Sequence, residues 1–476
     1  MTLEPSPAGL GATSSAATGV ADPDSATDPA TGRAAGSAEG RPDGPGGPRD
    51  GSSRRTRWLV GAVLFAAAVI LPLLRQRGIP FWRTVYAEDG WVYLGEVDKT
   101  GYTSVWKSYN GYLQLLPRVL TLPTMYLPIT RMGQYFSFVA ALWSAVVAWL
   151  AYRCTKGWVA SVPLRLLVAL TVVLAGSLGY EVTGTLANTI WPAFAVLPWA
   201  IVALTESRRD VVFRSAFVFA AAASTALTVV FVPLALVFLV WRRTKAAAIV
   251  VGCYFAGVLA QVWSITHSEF VTAPPVNSFK GLVEIYSVRV AGGYVFGEGT
   301  LPFLYEHLGK AVGALATVIL VAALAVSFFR AQRRNAALAV GFLLMAGATF
   351  VVPVWLRGTN LLELGEQYGE PASRYVGAPV LLILSAFCLL LDSPDPSRDR
   401  AIAKVGRVVL IVQTIVVMVL AFPVSGGRGD GPTWIEGLGT ARTQCVAQGN
   451  AGELDVAIAP PPQWHVTLTC ARINDD

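Results

Sequence analysis

Two adjacent carboxylates, Glu88 and Asp89, are the residues of this sequence best suited to chemistry. They lie in the stretch Val85–Leu94, soon after the first long apolar run of the chain. Carboxylates held beside a bilayer are energetically costly unless they bind or catalyse something. One of them could deprotonate an acceptor hydroxyl as a general base, and one could bind a divalent metal such as Mg²⁺ or Mn²⁺. The alternative is a solvated turn, which is common for such dipeptides in loops.

Three arginines in or beside the predicted loops are candidates for binding a phosphate group: Arg118, Arg289 and Arg374. A guanidinium group presents a planar fork of N–H donors that matches the oxygens of a phosphate. Arg118 could instead extend its charged head to lipid headgroups. Arg374, which stands just before an apolar run, could instead anchor the topology of that run.

Aromatic side chains surround the acidic pair. Trp82, Tyr86, Trp91 and Tyr93 all fall within a few residues of it. Their rings could stack on the faces of a sugar, and an aromatic belt at the membrane interface explains them equally well. The sequence leaves both interpretations open.

The composition is that of a polytopic membrane protein. Hydrophobic residues make up 54% of the 476 residues and charged residues 14%, and the mean hydropathy is +0.53. A soluble domain carries about a quarter charged residues. The net charge of +7 does not indicate nucleic acid, because the basic residues cluster at the ends of apolar runs, where they set topology. The five cysteines and three histidines show no CxxC or HExxH spacing, which argues against a zinc site.

The apolar runs predict an all-α protein with about eleven transmembrane helices. Arg54, Arg55 and Arg57 precede the first run, so the positive-inside rule places the amino terminus in the cytoplasm. The run Val211–Trp241 is too long for one untilted crossing and has basic residues at both ends, so we split it at Ala223–Ala226. The predicted spans are Trp58–Leu74, Gly133–Tyr152, Val162–Tyr180, Ile190–Leu204, the two halves of Val211–Trp241, Ala246–Ile265, Ala311–Phe329, Ala336–Trp355, Tyr375–Leu391 and Val405–Val424.

These spans divide the chain into three parts. Residues 1–53 contain almost no large apolar side chain and predict a disordered cytoplasmic tail. Residues 54–424 form the transmembrane domain, and residues 425–476 a short extracytoplasmic tail that Cys445 and Cys470 are expected to close with a disulfide. The long loops of the transmembrane domain are all predicted outside: 75–132, 267–310 and 356–373.

The lengths of the loops indicate where a substrate binds. The connections predicted to be cytoplasmic are short and carry no GxxxxGK[ST] or GxGxxG motif, so we expect no nucleotide cofactor. Nucleotides are scarce outside the cell. An activated substrate is therefore expected to arrive through the bilayer as a lipid-linked group, which makes membrane lipids the expected partners. The placement of the basic residues at the ends of apolar runs gives no reason to expect nucleic acid as a partner.

Three short elements carry a resemblance to a known family: Ala87-Glu-Asp-Gly90, Tyr109-Asn-Gly-Tyr-Leu113 with Pro117-Arg118, and Ser373-Arg-Tyr375 at the start of a span. On these elements, residues 58–424 resemble the GT-C superfamily of membrane glycosyltransferases, as found in actinobacterial integral membrane proteins. Many members of that superfamily have Asp-Glu or Asp-x-Asp where this chain has Glu-Asp. The order found here leaves open which carboxylate is the base.

The resemblance implies an enzyme of the plasma membrane. Such an enzyme transfers a sugar from a polyprenyl-phosphate donor to an extracytoplasmic glycan, lipid or protein acceptor, with inverting or retaining stereochemistry. The implied catalytic residues are Glu88 and Asp89, either of which could hold the metal. The implied donor-phosphate ligands are Arg118, Arg289 and Arg374, and the implied substrate-lining residues are Tyr109, Asn110, Tyr112 and Tyr375.

Two other functions are compatible with the composition. A lipid or glycan transporter would carry charges inside its spans and internally repeated, broken helices, and this chain has few such charges and no clear repeat. A membrane scaffold that merely displays the extracytoplasmic tail is the third interpretation. A pocket lined by Glu88, Asp89 and the loop arginines would favour the enzyme over both.

The predicted topology can be tested with reporter fusions. A reporter fused after Cys470 should be active only outside the cell, and one fused after Arg334 only inside, because an odd number of spans separates the two positions. If both reporters lie on the same side of the membrane, the predicted number of spans between them is wrong by an odd number.

Overall fold

The computed structural model of the protein describes residues 51–175, 179–268, 278–329, 331–358, 373–392, 401–424 and 426–475. Most of the predicted disordered tail and most of the predicted loop 356–373 lie outside the described residues. The fold is mostly helical, and its helices begin and end close to the predicted bounds. Two short antiparallel strand pairs, which the sequence did not predict, are formed by the loops.

The α-helices are, in chain order, α1 Gly51–Leu73, α2 Gly95–Thr100, α3 Leu115–Thr121, α4 Met132–Cys154, α5 Val162–Leu174, α6 Gly179–Val182, α7 Ile190–Val202, α8 Arg208–Ala222, α9 Val232–Arg242, α10 Lys245–Thr266, α11 Phe279–Ile285, α12 Gly293–Val295, α13 Leu301–Leu308, α14 Ala311–Phe328, α15 Arg333–Arg357, α16 Arg374–Leu391, α17 Ala401–Leu420, α18 Trp434–Ala447 and α19 Cys470–Ile473. The strand pairs are β1 Ser108–Tyr109 with β2 Tyr112–Leu113, and β3 Glu453–Ala457 with β4 His465–Thr469. Two π-helical segments occur, Asp89–Leu94 and Tyr286–Gly292.

Within the described residues, six helices are long and apolar enough to cross a membrane, so this is a helical membrane protein. They are Ile129–Cys154, Lys245–Thr266, Ala311–Phe328, Arg333–Leu356, Arg374–Leu391 and Ala403–Leu420. Shorter apolar helices occupy four further predicted spans: Trp58–Leu73, Val162–Leu174, Ala187–Val202 and Ala226–Arg242. The total of about eleven crossings therefore stays a prediction.

The predicted break in the run Val211–Trp241 is confirmed. Helix α8 ends at Ala222 and α9 begins at Val232, with a 3₁₀ turn over Ala226–Phe231 between them. At the break, the Ala223 carbonyl accepts a hydrogen bond from the Leu115 N–H at 3.3 Å. The short helix α3 from the first loop therefore satisfies backbone groups that the break leaves open.

One predicted span is shorter than expected. Helix α5 ends at Leu174 rather than continuing to Tyr180, because the backbone becomes extended at Ala175. The Ala175 carbonyl instead accepts hydrogen bonds from the buried guanidinium of Arg75, at 3.4 Å. A side chain distant in the sequence thus fixes the end of this helix.

Helices α7 and α16 form the centre of the bundle. Every residue of α7 is buried, and so is every residue of α16 except the first and the last. Trp199 of α7 donates its indole N–H to the Ser385 hydroxyl of α16 at 2.9 Å. Near their first residues, Trp191 and Tyr375 meet edge to face with ring centroids 5.2 Å apart. The two helices therefore begin at the same end of the bundle.

The C-terminal segment, residues 426–475, folds onto the first loop instead of forming a separate tail. The Ala87 N–H donates to the Ala459 carbonyl at 2.7 Å, and the Ala459 N–H donates to the Val85 carbonyl at 3.0 Å. Trp434 donates its indole N–H to the Ile129 carbonyl at 2.6 Å. One apolar core contains side chains from both parts of the chain: Val85, Leu94, Ile129, Met132, Trp434, Leu438, Val466 and Leu468.

The predicted disulfide between Cys445 and Cys470 is confirmed, and it joins α18 to the first residue of α19, directly after β4. We expect neither thiol to react with a maleimide when the protein is denatured without a reductant. Both should react after reduction. The bond closes a loop of 25 residues, so Cys445→Ser should destabilise the C-terminal segment by about 3 kcal/mol.

Cys253→Ser is the matched control, since Cys253 is a free cysteine outside this segment. It should leave the protease resistance of residues 426–475 unchanged, whereas Cys445→Ser lowers it. Labelling of Cys445 or Cys470 in the denatured, unreduced protein would contradict the disulfide.

Candidate functional site

Glu88 stands at an unusual position of the backbone. The preceding residue, Ala87, has a φ of 42°, in the left-handed region that a residue with a side chain seldom adopts. Directly after Glu88, the chain enters the π-helical segment Asp89–Leu94. Left-handed residues and π-helical turns both concentrate at functional sites. The hydrogen bond from the Ala87 N–H to the Ala459 carbonyl holds Ala87 in this conformation.

The half-buried side chain of Glu88 lines a cavity of about 60 Å³. Three parts of the chain that are far apart in sequence form its walls: the first loop, the start of α7 and the start of α16. The lining residues are Glu88, Tyr93, Tyr109, Asn110, Tyr112, Gln114, Ala187, Asn188, Ile190, Trp191, Arg374 and Tyr375.

Arg374 provides a positive charge in the same cavity. Its charge interacts with that of Glu88 and with that of Glu181. Glu181 lies 4.0 Å from the Arg374 guanidinium and also accepts hydrogen bonds from the Arg374 N–H at 3.2 Å and the Ser373 hydroxyl at 3.0 Å. Glu181 therefore fixes the backbone of Arg374, which is the first residue of α16. The Arg374 side chain stays 32% exposed.

Tyrosine and amide groups make the remaining walls polar. Tyr93 donates its hydroxyl to the side-chain carbonyl of Gln114. Burial, together with the negative charge of Glu88, raises the pKa of Tyr109 to about 12, so this phenol stays protonated near neutral pH. Trp191 donates its indole N–H to the Asn188 side chain at 3.1 Å. The cavity thus combines one carboxylate, one guanidinium and several neutral hydrogen-bonding groups.

Asp89 is completely buried and is not among the cavity-lining residues. Its two carboxylate oxygens accept hydrogen bonds from the backbone N–H groups of Leu186 and Ala187, at 3.0 and 2.6 Å. Ala187 belongs to the cavity wall. Asp89 therefore positions the wall that faces Glu88, and the two adjacent carboxylates have different environments.

Arg428 of the C-terminal segment is completely buried beside this arrangement, and its charge interacts with that of Asp89. It donates hydrogen bonds to the Thr84 hydroxyl at 2.8 Å, to the Gly184 carbonyl at 2.9 Å and to the Phe81 carbonyl at 3.1 Å. Its guanidinium thus links the C-terminal segment to the first loop and to the turn before α7.

The other two predicted phosphate ligands lie elsewhere. Arg118 is buried, forms an ion pair with Glu96 at 2.6 Å and donates to the Ser104 carbonyl at 2.9 Å. Arg289 is buried in the second π-helical segment, where its charge interacts with Glu298. Neither arginine lines the cavity. Of the three candidates, Arg374 is the one beside Glu88.

A divalent metal at this cavity stays a prediction. Among the described residues, no group of three His, Cys, Asp or Glu side chains could hold a metal ion. Glu88 is the carboxylate that faces the cavity, and both oxygens of Asp89 already accept backbone hydrogen bonds. We therefore derive no step through a metal.

Six of the predicted site residues meet at this cavity: Glu88, Tyr109, Asn110, Tyr112, Arg374 and Tyr375. The sequence indicated Tyr93 only as one of four aromatic residues that could stack on a sugar. It did not identify Gln114, Asn188 and Trp191 as site residues, nor the supporting roles of Glu181 and Arg428. Asn188 had a usable signal, since a polar residue directly before a fully apolar helix needs a partner. No local pattern marks Arg428.

No protein-family model matches the sequence, and no curated protein is similar to it.

The buried carboxyl of Asp89 predicts a specific pH dependence of stability. Burial raises the pKa of Asp89 to about 7, although the Ala187 N–H and Arg428 both act to lower it. From about pH 4 to about pH 7, the folded protein holds a proton that the unfolded chain has lost. Stability should therefore fall as the pH rises, by up to about 1.4 kcal/mol per pH unit, and level off above this interval.

Thermal unfolding of the detergent-solubilised protein at about pH 5 and about pH 7.5 measures this effect. Asp89→Asn cannot ionise, so its melting temperature should change less between the two pH values than that of the wild type. Asp430→Asn, at an exposed aspartate, should keep the wild-type difference. If the melting temperatures of the wild type and of Asp89→Asn change equally between the two pH values, the pKa of Asp89 is not the cause of the pH dependence.

Proposed function

We propose that the protein is a membrane glycosyltransferase of the GT-C type, which transfers a sugar from a polyprenyl-phosphate donor to an extracytoplasmic acceptor. The observation that carries the proposal is the cavity in which a carboxylate, Glu88, and a guanidinium, Arg374, lie together at one end of a helical bundle. A positioned proton acceptor and a cation both assist glycosyl transfer from a phosphate-linked sugar.

Glu88 is the base in this proposal. It accepts the proton of the acceptor hydroxyl while the hydroxyl oxygen forms a bond to the anomeric carbon of the sugar. The bond between that carbon and the phosphate oxygen breaks, and the polyprenyl phosphate leaves. Asp89 is a poor candidate for this step, because it is buried and both of its oxygens are engaged by backbone N–H groups.

Arg374 holds the phosphate in this proposal. A guanidinium binds two phosphate oxygens at once and stabilises the charge that develops on the leaving group. The cavity also lies at the N-terminal ends of α7 and α16, where the helix dipoles favour an anion. Glu181 orients Arg374 through the start of α16.

Substrate binding requires the walls of the cavity to move apart. A volume of about 60 Å³ has room for a few water molecules and not for a sugar ring. Three separate segments of the chain form the walls, so a shift of one segment relative to the others would enlarge the cavity. In the proposed orientation the cavity faces the outside of the plasma membrane, where a lipid-linked donor reaches it from the bilayer.

The first test of the proposal is Glu88→Gln, which removes the proton acceptor and nearly preserves the shape of the side chain. We expect transfer of labelled sugar from polyprenyl-phosphate donors to fall about 10²–10⁴-fold, the usual contribution of positioned proton transfer. Glu306→Gln, at an exposed glutamate outside the cavity, is the control and should keep the parental rate. The donor is first identified by comparing the surface glycans of a deletion strain with those of its parent.

The second test is Arg374→Lys, which keeps the positive charge and loses the planar fork. The apparent KM for the donor should rise about tenfold, and the amount of inserted protein should be unchanged. Arg131→Lys, at an exposed arginine, should leave the KM for the donor unchanged. Parental rates in both Glu88→Gln and Arg374→Lys would overturn the proposed site.

A further inference from the structure

Three aromatic side chains form a continuous row next to the cavity. Trp91 meets Tyr109 edge to face on one side and Trp464 edge to face on the other, with ring centroids 6.4 and 5.6 Å apart. Tyr109 also lines the cavity that contains Glu88. This aromatic row, Tyr109–Trp91–Trp464, therefore starts at the cavity wall and ends on the C-terminal segment.

The row is accessible and is held in place. Trp91 is 49% exposed, and Tyr109 and Trp464 are half-buried. An edge-to-face contact uses the edge of one ring, so part of the ring surface stays open to a ligand. The Trp464 carbonyl accepts a hydrogen bond from the Ile458 N–H at 3.1 Å, and Pro460–Pro462 restrict the loop before it. Little conformational entropy is then lost when a ligand binds.

The position of the row distinguishes it from an aromatic belt. Belt tryptophans lie at the ends of membrane-spanning helices, whereas Trp91 is in the π-helical segment of the first loop and Trp464 directly precedes β4. The Trp464 side chain packs against the buried apolar cluster of Tyr86, Ala87 and Ala459. The exposed side chains of that hairpin are polar: Thr467 donates to Asp455 at 2.7 Å, and His465 lies 3.7 Å from the same carboxylate. A polar hairpin suits a water-soluble ligand better than lipid.

We propose that the aromatic row binds the acceptor, and that the acceptor is an oligosaccharide chain. This inference rests on the proposed glycosyl transfer at Glu88. The C–H faces of sugar rings pack on aromatic rings, and their hydroxyls find partners in the polar groups beside the row. A chain bound along the row directs its terminal sugar to Tyr109 and its terminal hydroxyl towards Glu88. The C-terminal segment is thereby part of the acceptor site.

The experiment measures binding and transfer separately in the full-length protein. Size-fractionated oligosaccharides from the envelope polysaccharide of the host cells are titrated against the detergent-solubilised protein, and tryptophan fluorescence reports binding. In transfer assays, Trp464→Ala and Trp91→Ala should each raise the apparent KM for the acceptor about two- to tenfold. The kcat and the KM for the donor should change less than about twofold. Trp464→Phe keeps a ring and should retain most of the binding.

Trp106→Ala is the matched control. Trp106 lies in the same loop and is 65% exposed, and among the described residues no aromatic ring pair joins it to the row. It should bind the oligosaccharides as the wild type does. The melting temperature of each variant, and an intact Cys445–Cys470 bond, show that a loss of binding is not a loss of folding.

The outcomes separate this inference from the proposed function. If Glu88→Gln abolishes transfer while Trp464→Ala and Trp91→Ala keep the parental KM for the acceptor, the row does not bind the acceptor and the inference is wrong. If the oligosaccharides bind, and the two variants weaken that binding, but no sugar is transferred, the row stands and the proposed function fails. If glycan-free liposomes, and not oligosaccharides, change the fluorescence of the row, it is a membrane contact and the inference is wrong.

Discussion

The end of the bundle that carries Glu88 depends on two buried ionisable side chains, Asp89 and Arg428. Each is surrounded by backbone and hydroxyl partners from segments that are distant in the sequence. A buried charge without such partners would cost several kcal/mol. The requirement to provide hydrogen-bond partners for both side chains therefore fixes the first loop, the turn before α7 and the C-terminal segment relative to one another.

This constraint explains how two adjacent carboxylates acquire different roles. The Asp89 side chain points into the protein and accepts hydrogen bonds from two backbone N–H groups. The side chain of the preceding residue, Glu88, therefore lies on the cavity side. The left-handed backbone at Ala87 and the π-helical segment after Glu88 accommodate this arrangement. In the proposed function, the buried residue positions the wall and its neighbour removes the proton.

The sequence predicted those features that depend on local pattern. Hydropathy located most helix bounds, and the basic residues at both ends of the run Val211–Trp241 indicated that it must be broken. The roles of Asp89 and Arg428 were not predictable, because they depend on contacts that no periodicity encodes. Arg428 bonds to Thr84 across 344 residues. The packing of the C-terminal segment on the first loop was also not predicted. The core that joins them contains apolar residues from both parts of the chain, and no local pattern shows that these residues meet.

The most direct test of the account is the structure of the Glu88→Gln variant in lipid nanodiscs with a phosphonate analogue of the polyprenyl-phosphate sugar. We expect the phosphonate oxygens within hydrogen-bond distance of the Arg374 guanidinium, and the anomeric carbon on the side of residue 88. The turn before α7, which Asp89 holds, should line the sugar. An analogue bound away from this cavity, or bound in it with the phosphonate remote from Arg374, would contradict the account.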